Sequence, residues 1–275
     1  MRKIWAVCYY TFRESLARKT FIGFFAISSI VLAILLLAVN IDAVDGALAG
    51  LSVFGHEAQG VDIELDRLVI GIEAALAAAL FTAGLFFSIF ATASLVPNML
   101  EKGNIDWLLA KPISRARLLL GRYLGGLAIV AFNVFYLVAG AWLILSLKTG
   151  VWHFPFLAAG VLITAIFAVI YAFMVFLGVT LQNSAVTIMG AYLILFISPL
   201  LFQRDRIYAL LSAKIYQWLL DGIYYLTPRT FEIGNLVRKT VLAEPLGNLM
   251  PLWHSLALGA LFFASAVLLF KRKNF

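Results

Sequence analysis

Long apolar runs alternate with short charged segments along this chain, and that alternation predicts its elements. Six runs stand out: Phe21–Asn40, Leu68–Pro97, Leu118–Leu147, Phe154–Leu181, Ser184–Phe202 and Leu252–Phe270. As helices rising ~1.5 Å per residue, each can cross a hydrocarbon core of about 30 Å. The second and third exceed the minimum by about ten residues, so tilt or projection beyond the bilayer is expected. The pattern predicts an all-α integral membrane protein, a single transmembrane domain over residues 1–275 with six spans.

The segments between the runs carry their own patterns. Met1–Lys19 has no apolar core between its charges, so it does not read as a signal peptide. On a helix, Ile4, Trp5, Cys8, Tyr9, Phe12 and Leu16 share one arc while Lys3, Arg13, Glu14 and Arg18 lie elsewhere. That describes an amphipathic helix in the membrane interface, with an ordinary basic flank as the alternative. Ile41–Arg67 holds His56, Glu57, Asp62, Glu64 and Asp66. Val61 to Asp66 alternates strictly, which puts its carboxylates on one face of an extended segment, a solvated acidic loop rather than a cation site. In Gln203–Pro251, apolar residues from Ile207 to Ile223 fall near helical spacing, interrupted by Lys214 and Asp221. A helix at the outer surface is expected there, ended by Thr227-Pro228, with a second short one over Thr230–Leu242.

Composition fixes the class. Hydrophobic residues make up 63% of the 275 and charged residues 13%, with a mean hydropathy of +0.99. A soluble domain carries roughly a quarter charged residues. The lone Cys8 leaves no disulfide within the chain and no multi-cysteine metal site. A net charge of +7 accompanies basic residues clustered at the ends of the apolar runs, where membrane topology puts them, so nucleic acid is not an expected partner. The N-terminus, the Glu101 loop and the Lys271-Arg272-Lys273 tail together hold thirteen basic and three acidic residues. The remaining segments hold eight basic and ten acidic ones, which places both termini and the Glu101 loop in the cytoplasm. An even number of spans agrees with that.

Glu101 to Arg115 is a charged island between the two longest runs. Asn104 suits an N-cap and Asp106 the first turn of a short helix, Pro112 ends it, and Ser114 can cap the helix that follows. The pattern Glu101-Lys102-Gly103, then Ile105-Asp106-Trp107-Leu108-Leu109-Ala110-Lys111-Pro112-Ile113-Ser114-Arg115, then Leu118-Leu119-Leu120-Gly121-Arg122-Tyr123-Leu124-Gly125, resembles the coupling-helix region of type-2 ATP-binding-cassette (ABC) transporter permeases. The resemblance implies a cytoplasmic helix that docks on an ATPase subunit through Glu101, Lys102, Asp106, Trp107, Leu108, Leu109, Lys111, Pro112 and Arg115. It also implies an interfacial N-terminal helix, a second permease copy or close relative, and two cytoplasmic ATPase subunits that bind ATP and Mg. An outer accessory protein is a further possible partner, the lipid bilayer is the surroundings, and the location is the cell membrane. Cargo of the family spans lipids, glycans, drugs, peptides and factors for metalloenzyme maturation.

Polar residues inside the runs are functional candidates by default, because burying them is costly. Glu73 lies near the outer end of the second run. It suits a cationic substrate group or a proton relay, and snorkelling toward the interface accounts for it equally. Asn133 in the third run fits an interhelical hydrogen-bond donor better than a substrate ligand. His254 sits near the outer end of the last run, Ser198-Pro199 is expected to bend the fifth, and Gly121-x-x-x-Gly125 is a spacing that arises readily by chance among 20 glycines. The chain contains no phosphate-binding loop, His-Glu-x-x-His or Gly-x-Ser-x-Gly motif, so no catalytic, cofactor or metal residues are assigned in it. Two other functions stay open: a membrane scaffold without transport, and a gradient-driven transporter, for which internal repeats and charged midplane residues are lacking.

Overall fold

The computed structural model describes residues 2–17, 19–37, 39–44, 47–53, 56–57, 64–101, 103–105, 113–208 and 214–273. In chain order, α1 is Arg2–Ala17 and α2 is Lys19–Leu37. Three short antiparallel strands follow, β1 Val39–Val44, β2 Ala47–Val53 and β3 His56–Glu57, with Val39 opposite Val53 and an irregularity at Asp42/Ala43. A segmented rod then runs through α3 Leu65–Ala79, a π-turn Leu80–Gly84, α4 Leu85–Thr92 and α5 Leu95–Met99. Next come α6 Arg115–Thr149, α7 Pro155–Leu181 and α8 Ser184–Phe202. Short helices α9 Arg204–Tyr208, α10 Lys214–Leu226 and α11 Thr230–Val241 lead into the last one, α12 Met250–Arg272.

Among the described residues, five helical stretches are long and apolar enough to cross a membrane: Leu65–Met99, α6, α7, α8 and α12. This is the architecture of an all-α, multi-pass membrane protein, with the strands as a local exception. The first apolar run differs from expectation. Its apolar helix covers Phe21–Leu37, 17 residues or ~26 Å, while Val39 and Asn40 leave it to pair with Val53 and Ser52 in the hairpin. Leu65 and Asp66, expected in an extended acidic segment, form the first turn of α3 instead, where Asp66 suits the helix dipole. Residues 61–63 lie outside the described residues.

Local chemistry explains the helix ends. No proline interrupts α6, which stops at Gly150 in the left-handed conformation (φ 77°), its N–H bonded to the Ser146 carbonyl. Pro155 opens α7, and Asn183 caps α8 by accepting from the N–H groups of Ala185 and Val186 at 2.9 and 3.2 Å. Both α6 and the 65–99 rod are 35 residues long, ~52 Å of helix, so each outruns a bilayer by several turns.

The buried centre is α7, which packs on α6, α8, α11 and α12 and buries Ile163, Ile166, Phe167, Ile170, Tyr171 and Val175. Two close approaches shape the rest. A Cβ at Gly121 would fall 2.6 Å from Val7 Cβ, and one at Gly125 would fall 2.6 Å from Thr11 Cβ. The Gly121-x-x-x-Gly125 spacing is therefore a working contact between α1 and α6. Through it α1 buries Val7 and Thr11 while Trp5 and Tyr9 face outward, so the helix is docked as well as amphipathic. The second surprise is α11, expected on the outer surface. Ile233, Val237 and Val241 are buried, and the helix wedges among α3, α7 and α8. Their i, i+4, i+8 spacing is a core stripe that the sequence displays.

Candidate functional site

Three sets of polar side chains lie at the two ends of the bundle and in one of its seams. The first surrounds the loop between α5 and α6. Glu101 and Asn104 are exposed and Ile105 is buried, with Gly103 in the left-handed region at φ 89°. Asn104, expected as an N-cap acceptor, donates its side-chain amide to the Asn98 carbonyl at 3.0 Å. Ser114 caps α6 by conformation without a side-chain hydrogen bond. Lys102, Asp106, Trp107, Leu108, Leu109, Lys111 and Pro112 lie outside the described residues.

Arg115 is placed clearly. Its Nη1 donates to the carbonyls of Phe270 and Lys271 at 3.3 Å each and to that of Lys273. These carbonyls lie in the last turn and at the C-cap of α12. Lys273 in turn donates its ammonium to the carbonyls of Val179 and Thr180, at 2.8 and 3.5 Å, where α7 ends. The loop, the C-terminal end of α12 and the end of α7 thus share one end of the bundle. Glu14 of α1 joins them through an ion pair with Arg122, a nearly buried side chain whose guanidinium lies 5.4 Å from the Tyr10 ring.

At the opposite end, Glu73 of α3 is 1% exposed, so snorkelling, one of the accounts offered for it, does not occur. Its Oε2 lies 2.5 Å from Nδ1 of His153, in the turn between α6 and α7. Glu73 Oε1 and His153 Nε2 are both buried without a hydrogen-bond partner. The pair holds α3 against that turn. Sequence reading missed His153, although a histidine between Trp152 and Phe154 just before the fourth run was a visible anomaly. Nearby, Lys148 donates to the carbonyls of Leu35 and Leu36 at 3.2 and 2.6 Å, closing the end of α2.

Asn133 lies in the seam between α2 and α6, where it is an acceptor rather than the expected donor: Ser28 gives it a hydroxyl hydrogen bond at 3.4 Å. Ser198 accepts from the Phe231 N–H at 2.9 Å and Ser255 from the Arg229 N–H at 3.0 Å, which seats the start of α11 between α8 and α12. Pro199 stays inside α8, three residues from its end. Outside the long helices, Arg204 and Arg229 lie 3.7 and 4.3 Å from the Tyr224 ring centroid, whose hydroxyl donates to Glu232 at 2.7 Å. Burial, and then that hydrogen bond, push the Tyr224 hydroxyl up to about 12. His254 gives Nε2–H to the Tyr225 carbonyl at 3.1 Å. Among the described residues no cluster of metal-ligating side chains occurs. No protein-family model matches this chain, and no curated protein matches it in sequence.

Proposed function

We propose that this chain is the membrane-spanning subunit of an ATP-driven transporter of the type-2 ABC kind, a permease of the cell membrane whose ATP is hydrolysed by separate subunits. The observation that carries the reading is the Glu101–Arg115 motif between two helical stretches of 35 residues each. Helices of that length lift the loop clear of the headgroups, within reach of a soluble partner. In this reading α2 is a sixth, short crossing, and both termini and the loop are cytoplasmic. A second copy or close relative completes the pathway, and closure of two ATPase subunits on ATP and Mg presses on residues 106–111.

The test is recovery of the ATPase with the detergent-solubilised permease. Trp107, a large aromatic in the loop, is the expected anchor, with Asp106 and Lys111 as orienting contacts at its rim. Trp107→Ala should weaken the complex by about 2 kcal/mol, roughly thirtyfold in affinity, and leave membrane insertion intact. Asp106→Lys should weaken it less. Undiminished recovery with both variants would remove these side chains from the docking role.

A second reading has one specific observation in its favour. The buried Glu73–His153 pair is the type of group that a proton-driven transporter uses. Transport that continues without the ATPase and collapses with a protonophore would select it.

A further inference from the structure

We propose that the chain binds one anionic phospholipid, with an acyl chain in the seam between the π-turn, α4, α8 and α11 and its phosphate on Arg204 and Arg229. The lipid is lodged within a single chain, and its site does not depend on the transporter reading.

The apolar half is a cavity of about 620 Å³. That volume falls inside the ~300–1,000 Å³ range of small-molecule sites. Phe81, Phe86, Phe87, Phe196 and Phe231 supply its rings, and it opens on the outward face of the bundle, where Phe86 and Phe196 are exposed. Thr82 is a polar residue of the lining, and its hydroxyl already donates to the carbonyls of Ala78 and Ala79 at 2.8 and 3.3 Å. The walls are fixed by packing behind them. Tyr192 stacks on Phe86 with 4.1 Å between centroids, and its hydroxyl donates to the Phe86 carbonyl at 3.0 Å. Phe81 stands so close to α11 that a Cβ at Gly234 would come within 2.8 Å of its ring. Phe231 is held at its N–H by Ser198 and at its ring by Phe202, 5.0 Å away. Phe81 and Thr82 belong to the π-turn, a local irregularity that recurs at functional sites.

Apolar lining alone retains no lipid, because hydrocarbon surrounds a membrane bundle in any case. Charge does the selecting. Arg229 directly precedes Thr230 and Phe231 of the cavity wall, and Arg204 follows Phe202, whose ring packs on that of Phe231. Both guanidiniums lie over the Tyr224 ring. Arg204 Nη1 and Arg229 Nε are buried without a hydrogen-bond partner among the described residues. Asp221 and Glu232 stand 4.0 Å from these two atoms, beyond hydrogen-bond reach, and accept instead from the hydroxyls of Tyr208 and Tyr224. A phosphate diester offers the acceptors that these donors lack, and bonds between guanidinium and phosphate are of the strong, charge-assisted kind. Depth agrees. Arg204 stands just past Phe202, the last residue of α8, where a cation at the end of a span reaches the headgroups. Leu195 and Phe196 of the cavity lie back along the same helix by ~10 Å. The phosphate and the acyl chain of one lipid are offset in that same sense.

The experiment counts lipids on the purified full chain by native mass spectrometry, during titration with dioleoylphosphatidylglycerol or dioleoylphosphatidylcholine in detergent. The parent should bind one phosphatidylglycerol per chain about tenfold more tightly than phosphatidylcholine. Ala83→Trp puts an indole into the cavity from an exposed position, and it should weaken both lipids about tenfold. Met189→Trp, at an exposed site of α8 outside the cavity, should weaken neither. Arg204→Gln combined with Arg229→Gln should bring phosphatidylglycerol down to the level of phosphatidylcholine and leave the latter where it was. If loss of both cations prevents folding, Arg204→Gln alone, at the more exposed of the two side chains, should lower the preference several-fold.

Equal affinity of the parent for the two lipids overturns the proposal, and so does undiminished binding of phosphatidylglycerol by Ala83→Trp. A preference that survives the arginine substitutions overturns the assignment of the phosphate to Arg204 and Arg229, and the proposal with it. A parent that carries no lipid and forms a dimer that Ala83→Trp breaks would mean that a second copy covers the cavity, which also overturns it. None of these outcomes bears on the ATPase, so the transporter reading stands or falls by its own test.

Discussion

Three cations in this protein do the same job at three helix ends. Lys148 closes α2, Arg115 closes α12 and Lys273 closes α7, each by donating to terminal carbonyls of a neighbouring helix. In a membrane such carbonyls have little water to turn to, so a charge from next door replaces it. The Glu73–His153 pair is the costlier arrangement, because a carboxylate with 1% exposure has given up its hydration. Removing one member strands the other. His153→Ala is expected to destabilise the protein by about 3 kcal/mol, read as a lower unfolding midpoint in detergent. Glu73→Gln, which keeps a hydrogen-bonding side chain at that place, should cost much less. Equal losses from the two variants would show that the charge of Glu73, and not its hydrogen bond, carries the pair.

At the scale of elements, the docking of α1 on α6 is the contact that can be tested most directly. Cys8 lies in the middle of α1, and burial pushes its thiol above the ordinary value, which slows alkylation by depleting thiolate. A leucine at Gly125 would drive into Thr11, because even a Cβ there comes within 2.6 Å. Gly125→Leu is therefore expected to lift α1 and speed labelling of Cys8 by a maleimide several-fold. Gly71→Leu is the matched control, since nothing lies within 4 Å of a Cβ at that position. Equal labelling rates in the two variants would mean that α1 does not depend on this crossing. The 65–99 rod has a different logic. Its π-turn at Leu80–Gly84 and the break at Ala93–Ser94 divide a long helix into pieces. The first piece is held by Glu73 and the last one by close packing of Val96 and Pro97 on Gly178.

For the whole molecule, the decisive quantity is which end faces the cytoplasm. The contacts of Arg115 with α12 and of α1 with α6 put the loop and both termini at one end of the bundle. In the proposed reading, the basic residues of those segments make that end the cytoplasmic one. Single cysteines in place of Glu57 and Lys214, with Cys8 replaced, should react with an impermeant reagent on intact cells, and those in place of Lys102 and Lys273 should not. Strong labelling at 102 would reverse the orientation and take the ATPase reading with it.

Much of the fold was readable because helix formation in a membrane is governed by local rules. Apolar runs and their punctuation located α7 and α8 almost to the residue, and Pro155, Asn183 and Pro228 stand at the boundaries where their chemistry predicts. The Asp45-Gly46 signal between β1 and β2 was also present, though the surrounding acidic residues drew the reading toward a loop. Partners were not readable. His153 stands 80 positions from Glu73, and the Lys273 carbonyl stands 158 positions from Arg115. Periodicity reports which residues share a face and nothing about what that face meets. Glu73 could therefore be marked as costly from its type and depth alone, while its imidazole partner came only from the packing of α3 on the α6–α7 turn. In the same way a GxxxG spacing permits close approach, and tertiary packing supplied the helix that makes it.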